Sequence, residues 1–429
     1  MKINFLYKIK NFTPFLILNS NQGLTHLNFI ILTFVAFFGT GLPFSERLQD
    51  SYEAETSNPL NQFIFIYLFI SIIIIAIRDP KPLINLLKKL KFLTIFFLIA
   101  LVSFLWSDHP FISFKRSFQL IVTFLTIINA VAILPEKKIV FTLVLVGFFY
   151  SLISIFSCLF IPDAIDPAFG TWRGLELSKN GLGYNALILL IIGFYSQTIR
   201  NNTLYNTIGK LLIFFSVLLI IFAFSTTNIL GMLTIFFILI LNKFKSLFHP
   251  LGIGNFIFNT ALIFIIIFSI ILSFFSKELI ASIPGLFGKD TSLTGRDVIW
   301  LYLLNEFFKK PILGYGYGTY WIMGTYIIDL FTANVGWRVN EAHNGFLEIL
   351  LQLGITGFTF FALTIISFIK KTIQYNDSIA LISIVSILIV NMSESFIFSP
   401  RDPSTLLFIL LYARLINNYS RYIITNKLK

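Results

Sequence analysis

"NEAHNGFLEILLQLGITG", residues 340–357, places polar side chains on an otherwise apolar helical run. Asn340 reads as a helix N-cap with Glu341 in the first turn. Beyond it, Asn344, Glu348 and Gln352 recur every four residues and share one helix face. Exposed to hydrocarbon, such a stripe would be costly, so it must face a cavity or another helix. Gly354 and Gly357 allow a neighbouring helix to approach closely. His343 stands at the top of the stripe. A lone histidine is ordinarily an interfacial hydrogen-bond donor. Here it is also the best general-base candidate, because an unperturbed imidazole titrates near neutrality.

The rest of the chain fits a membrane setting. It has 429 residues, 56% hydrophobic and 12% charged, with a mean hydropathy of +0.85 and 52 phenylalanines. Apolar runs long enough to span a hydrocarbon layer about 30 Å thick recur along it. They fall near 27–43, 60–77, 92–106, 117–134, 139–161, 184–199, 208–224, 227–242, 254–275, 345–369, 378–397 and 404–416. The expected fold is therefore an all-α polytopic membrane protein of about twelve transmembrane helices. It is one integral membrane domain over 1–429, with a large external loop, 276–344, between helices 9 and 10. A single cysteine, Cys158, excludes disulfides and cysteine-based metal sites.

The net charge of +12 could suggest nucleic acid, but its distribution points elsewhere. With both termini placed in the cytoplasm, roughly 20 of the 32 Lys and Arg fall inside, including "RDPKPLINLLKKLK", "PEKK" and "FIKK". The basic charge thus orients the chain and pairs with anionic membrane lipids, with no nucleic acid required.

Other cations fall on the outer side, where positive charge is normally depleted. "LWSDHPFISFKRS" holds Asp108, His109, Lys115 and Arg116; "GTWRGLELSKNGLG" holds Arg173, Lys179 and Asn180; the long loop holds Arg296 and Arg338. Lys115, Lys277, Lys309 and Lys310 read as snorkelling residues. Arg173 and Arg296 each sit beside a glycine and near a tryptophan, a setting suited to a guanidinium gripping a planar anion such as a lipid-linked diphosphate. "KKPILGYGYGTYW" mimics half of a dinucleotide fingerprint without the strand–turn–helix context that motif needs. Its Tyr315, Tyr317, Tyr320 and Trp321 would line a sugar groove or form an interfacial belt. Glu53 and Glu55 in "SYEAET" form either a solvated acidic loop or a divalent-metal pair. His109 beside Asp108 reads as a turn or an acid/base pair, and His26 and His249 as structural.

Three motifs, "TWRGLELSKNGLG", "TGRDVIWLYLLNEFFKKPILGYGYGTYW" and "EAHNGFLEILLQLGITG", strongly resemble the bacterial O-antigen ligase/polymerase superfamily, including its exopolysaccharide polymerases. The likeness covers roughly 92–400. It implies a GT-C-like inner-membrane glycosyltransferase with a large periplasmic loop and its active site on the periplasmic side. Such an enzyme moves a glycan from undecaprenyl diphosphate to an acceptor hydroxyl with inversion, using no metal and no cofactor. The implied partners are the lipid-linked donor, a sugar or lipid A–core acceptor, and other polysaccharide-assembly proteins. By the resemblance, Arg296 holds the diphosphate and His343 deprotonates or orients the acceptor, while Arg116 and Arg173 line the same cavity. Lys179, Arg338, Asn344, Glu348, Tyr317 and Trp321 complete the expected substrate-binding set. The family often has Ser-Arg-Thr where the seventh and eighth spans meet; this chain has "FSTTNIL", with Thr227 and Asn228, so Arg173 or Lys179 would replace that arginine. Polymerase is favoured over ligase by "WRGLELSKNGLG". Transfer to protein, or a transporter or flippase with broken helices in matching halves, are the remaining expectations.

Overall fold

Helix-capping side chains and apolar runs together set the elements. The computed structural model describes residues 20–40, 58–167, 169–199, 203–248, 296–322, 339, 341–395 and 398–427. Among them are thirteen α-helices and no β-strand. They are α1 (Asn21–Phe38), α2 (Pro59–Arg78), α3 (Lys81–Lys89), α4 (Lys91–Val102), α5 (Pro110–Ile133), α6 (Glu136–Phe160) and α7 (Lys179–Gln197). Then follow α8 (Thr203–Ala223), α9 (Thr226–Phe248), α10 (Arg296–Lys309), α11 (Gly345–Tyr375), α12 (Ser378–Asn391) and α13 (Pro403–Lys427).

Seven of these are long and apolar enough to cross a membrane: α1, α2, α5, α6, α8, α9 and α11. α12 and the stretch Lys91–Leu105 are apolar but shorter. The expected span 254–275 and most of the loop 276–344 lie outside the described residues. Large apolar side chains stand exposed along the outer helices, such as Phe63 and Ile77 on α2, Phe214 on α8 and Leu233 on α9. In water they would be a liability; against lipid they cost nothing. α7 is the opposite case. Its run Ala186–Ile192 is fully buried, so it is a central helix wrapped by protein.

Two readings of the 340–357 stretch change here. The cap of α11 is Asn344, whose Oδ1 accepts from the N–H groups of Phe346 (3.0 Å) and Leu347 (3.1 Å). Glu341 therefore lies in the loop before the helix, and Asn340 lies outside the described residues. Gly354 is not a helix–helix contact either. At φ +63, ψ −166 it breaks α11 after nine residues, roughly 13 Å of rise. The segment 311–316 crosses the break. Tyr315 N–H and Gly316 N–H donate to Leu351 O and Gln352 O (both 2.9 Å). Ile355 N–H and Thr356 N–H donate to Pro311 O (2.8 Å) and Ile312 O (3.1 Å). The backbone groups freed by the break are thus satisfied by protein, as the membrane interior requires. A broken helix is a mark of the transporter reading, but this break is filled by a strap rather than left open.

At the opposite end, Arg414 of α13 ties three other elements together. Its guanidinium bonds Asp377, lies 3.3 Å from Glu136 Oε1, and sits 4.7 Å over the Tyr195 ring. Tyr195 OH also donates to Glu136 Oε1 (2.6 Å). Arg414→Ala strands two partly exposed carboxylates beside each other. It should lower stability by about 2–3 kcal/mol, less than a fully buried pair because solvent screens part of the charge. Thermal unfolding in detergent would show the loss, with Arg414→Lys intermediate.

Candidate active site

Residues from several segments far apart in the chain enclose a cavity of about 310 Å³ at the end of the molecule where α5, α7 and α11 begin. One wall is the first turns of α5, with Lys115, Arg116 and Gln119. A second is the upper face of α11, with Glu348, Ile349 and Gln352. The strap supplies Tyr317 and Gly318. The α12–α13 connection supplies Ser395, Phe398, Ser399, Pro400 and Arg401. Glu341 stands at the rim, next to His343.

The strap is positioned by its glycines and its tyrosine. Gly314, Gly316 and Gly318 all have positive φ, a region L side chains avoid. Its backbone therefore folds tightly against α5 and α11. Arg116 Nη1–H donates to Gly318 O, and Gly318 N–H donates to Gln352 Oε1 (2.9 Å). Tyr317 N–H donates to Ser103 Oγ (2.9 Å), and its OH donates to Phe398 O (2.6 Å). Burial pushes the Tyr317 phenol well up, only partly opposed by Arg116, so it remains a hydrogen-bond donor at neutral pH. The aromatic residues of this segment turn inward. Tyr317 and Tyr320 are buried, and Tyr320 stacks edge-on with Tyr315 and Trp321 at 5.1 and 5.0 Å. They form neither an exposed belt nor an open groove. Tyr317 alone of the four lines the cavity.

Two carboxylates meet His343 on the same ring nitrogen. Nδ1 is 3.2 Å from Glu341 Oε1 and 3.4 Å from Glu394 Oε2. Glu394 is buried, and its other oxygen accepts from Asn180 Nδ2 (2.8 Å) at the start of α7. Two acceptors at Nδ1 favour the tautomer with the proton there, which places the lone pair on Nε2. Glu341, His343 and Glu394 also form the one described group of His, Cys, Asp or Glu compact enough to hold a metal ion, with ligand atoms within 4.8 Å of one another. A carboxylate–imidazole set of this kind suits either base catalysis or a divalent cation.

The structure gathers some of the expected residues and disperses others. His343, Glu348, Arg116 and Tyr317 converge on the cavity region. Trp321 reaches it indirectly, its indole N–H donating to both Glu348 oxygens (2.8 and 2.9 Å). Asn344 spends Oδ1 on its own helix, and its N–H donates to Ser395 Oγ (3.1 Å). Arg173 lies in the loop before α7, where Nε–H donates to Asp163 O (3.0 Å), and it does not line the cavity. Lys179 covers the Phe169 ring at 3.9 Å. Arg296 opens α10, but its side chain, like all of Arg338, lies outside the described residues, as do Glu53, Glu55 and His249. His109 precedes α5 with its N–H on Ser107 Oγ (3.2 Å), the turn role, and His26 Nε2 meets Thr142 Oγ1 at 3.1 Å. Where the resemblance expects an arginine, Thr227 meets Ser393 Oγ (3.0 Å) and Asn228 Nδ2 donates to Asn180 O (3.0 Å). That joint thus braces the residues on either side of Glu394.

Glu394, Ser395 and Arg401 were missed from the sequence. Glu394 and Ser395 fall where an apolar run was expected to continue to residue 397, yet α12 ends at Asn391, and Arg401 falls in the short gap before the next run. "NMSESF" was the available signal, a carboxylate inside an apolar stretch, which is a functional-site indication in a membrane chain.

Fold and site together define a multi-pass helical membrane protein with a histidine–carboxylate cluster beside a cavity lined in part by cations. Residues 211–362 match the model of the O-antigen ligase family. Exopolysaccharide production protein ExoQ of Rhizobium meliloti (strain 1021) is 30% identical over 88 residues, which is 20% of this chain and 20% of that protein. These likenesses, each over part of the chain, are to proteins of polysaccharide assembly. The family match takes in α10, the strap, His343 and the broken part of α11; Arg116, Arg173 and Lys179 lie outside it.

Proposed function

We propose that this protein is an inner-membrane glycosyltransferase that moves a glycan from undecaprenyl diphosphate to a sugar hydroxyl, its cavity opening on the periplasmic side. One observation carries the reading: His343, gripped at Nδ1 by Glu341 and Glu394, stands beside a cavity lined by Lys115, Arg116 and Arg401. The acceptor hydroxyl gives its proton to His343 Nε2 as its oxygen bonds the anomeric carbon. The anomeric carbon–oxygen bond to the diphosphate breaks on the opposite face, so the centre inverts. The electron pair leaves on undecaprenyl diphosphate, whose developing charge the cationic wall stabilises. Arg296 is the proposed further diphosphate contact, since it begins the helix whose Trp300 reaches Ala342.

A polymerase extends another lipid-linked glycan; a ligase delivers to lipid A–core. Deleting the protein separates them. Lipid-linked single repeats accumulate if it polymerises, and long lipid-linked chains if it ligates. Unchanged surface and lipid-linked glycan would sink the proposal.

The Glu341–His343–Glu394 cluster favours one competing reading, metal-assisted transfer. In the base mechanism, transfer by purified protein continues at an undiminished rate in excess EDTA. Loss of transfer that returns with one divalent ion would make the cluster a metal site instead.

A further inference from the structure

His343 is held in a backbone conformation its own residue type does not prefer. Its φ is +48, in the left-handed region, which costs an L residue about 1 kcal/mol or more. The surroundings hold it there from both sides. Trp300 Nε1–H on α10 donates to Ala342 O (3.0 Å), Ala342 N–H donates to Glu348 Oε2 (3.0 Å), and Asn344 N–H donates to Ser395 Oγ (3.1 Å).

Glu348 is the centre of that frame. Oε1 accepts from Gln352 Nε2 (2.6 Å) and Trp321 Nε1 (2.8 Å); Oε2 accepts from Trp321 Nε1 (2.9 Å) and Ala342 N (3.0 Å). A carboxylate offers about four acceptor sites, so little capacity is left for a substrate hydroxyl. The chain of bonds also runs further. Gln352 Oε1 accepts from Gly318 N–H, and Gly318 O accepts from Arg116. A single hydrogen-bonded path therefore joins the cationic wall to the main chain that carries His343.

We propose that Glu348 is a positioning residue that sets the pose of His343, and its spacing from Arg116, rather than a substrate ligand. The inference rests on the proposed transferase reading for its catalytic consequence, while its structural content stands without it. The charge form matters. Three separate donors converge on this carboxylate, and a carboxamide there would point its own NH2 at one of them.

The test uses the full chain in lipid nanodiscs, as wild type, Glu348→Gln and Trp300→Phe. Diethyl pyrocarbonate at fixed pH, read by peptide mass spectrometry, reports how well each histidine is held, with no substrate needed. Glu348→Gln should raise the labelling rate of His343 about fivefold or more, leaving His26 and His109 within about twofold. Trp300→Phe, which removes one bond of the same frame and keeps the ring, should raise it by a smaller factor. With lipid-diphosphate-linked glycan extracted from a strain lacking the protein, Glu348→Gln should lower kcat about 10–100-fold at nearly unchanged donor KM. His343 labelling unchanged in both variants overturns the proposal, whatever the glycan assay shows. So does a raised KM at unchanged kcat, which would make Glu348 a substrate ligand. If His343→Ala itself transfers normally, the transferase mechanism fails, and the labelling result still decides the positioning role.

Discussion

On the proposed mechanism, alanine at position 343 is expected to abolish glycan transfer while the protein still inserts and folds. Removing a general base typically costs about 10²–10⁴ in rate, and no histidine is among the residues lining the cavity to replace it. The fold should tolerate the change, because the side chain of His343 meets Glu341 and Glu394 through polar contacts beside the cavity. Alanine, like histidine, pays about 1 kcal/mol at φ +48, so His343→Asn, which relieves that strain, is the control for the fold. Asparagine accepts the left-handed conformation readily but cannot act as a base near neutrality. Surface glycan profiles with immunoblots of membrane fractions check both variants. Normal glycan in either one removes His343 from the mechanism.

Gly354→Ala should be the most damaging single-methyl change to the fold. A Cβ there would stand 2.6 Å from Leu313 N and closer still to Ile312 O, both backbone atoms of the strap. Those atoms cannot yield without breaking the bonds that fill the helix break. The φ/ψ pair is moreover one that glycine alone adopts easily. The expected loss is about 3–5 kcal/mol, the range reserved for strain at a special backbone site combined with a lost buried network. Because the same strap carries Gly318 to Gln352, transfer should fall with stability. Gly39→Ala is the comparison. It has a similar φ of +68 but nothing within 4 Å, so it should cost only about 1 kcal/mol. Equal thermal shifts for the two would show that strap contact at Gly354 contributes nothing.

Much of the fold was legible because hydrocarbon imposes simple rules. Helices α2, α5, α6, α8, α9 and α11 overlap the apolar runs that announce them, with ends shifted by up to about two turns. Caps such as Asn58 of α2 and Asp377 of α12 follow from local hydrogen bonding alone. The site was only half legible. Asn344, Glu348 and Gln352 were visible as polar residues at helical spacing, with His343 just above them and Arg116 as a cation on the expected outer side. Glu394 and Arg401 were not, because they lie in the turn between two apolar helices, with no periodicity to mark them. The cap was placed at Asn340 instead of Asn344 because several side chains in "NEAHN" can cap; only the fold shows which one has the helix's first N–H groups in reach.

The sequence by itself determined that the chain is a polytopic helical membrane protein, that 340–357 enters a span with a polar face, and that His343 stands at its head. Those follow from composition, spacing and charge, which act locally. The tertiary structure alone decided what that polar face does. It brought the strap across the break at Gly354, filled Glu348 with protein donors, and swung Glu394 from the α12–α13 turn onto His343. Contacts between segments far apart in the chain depend on how helices pack, and no local pattern encodes that geometry.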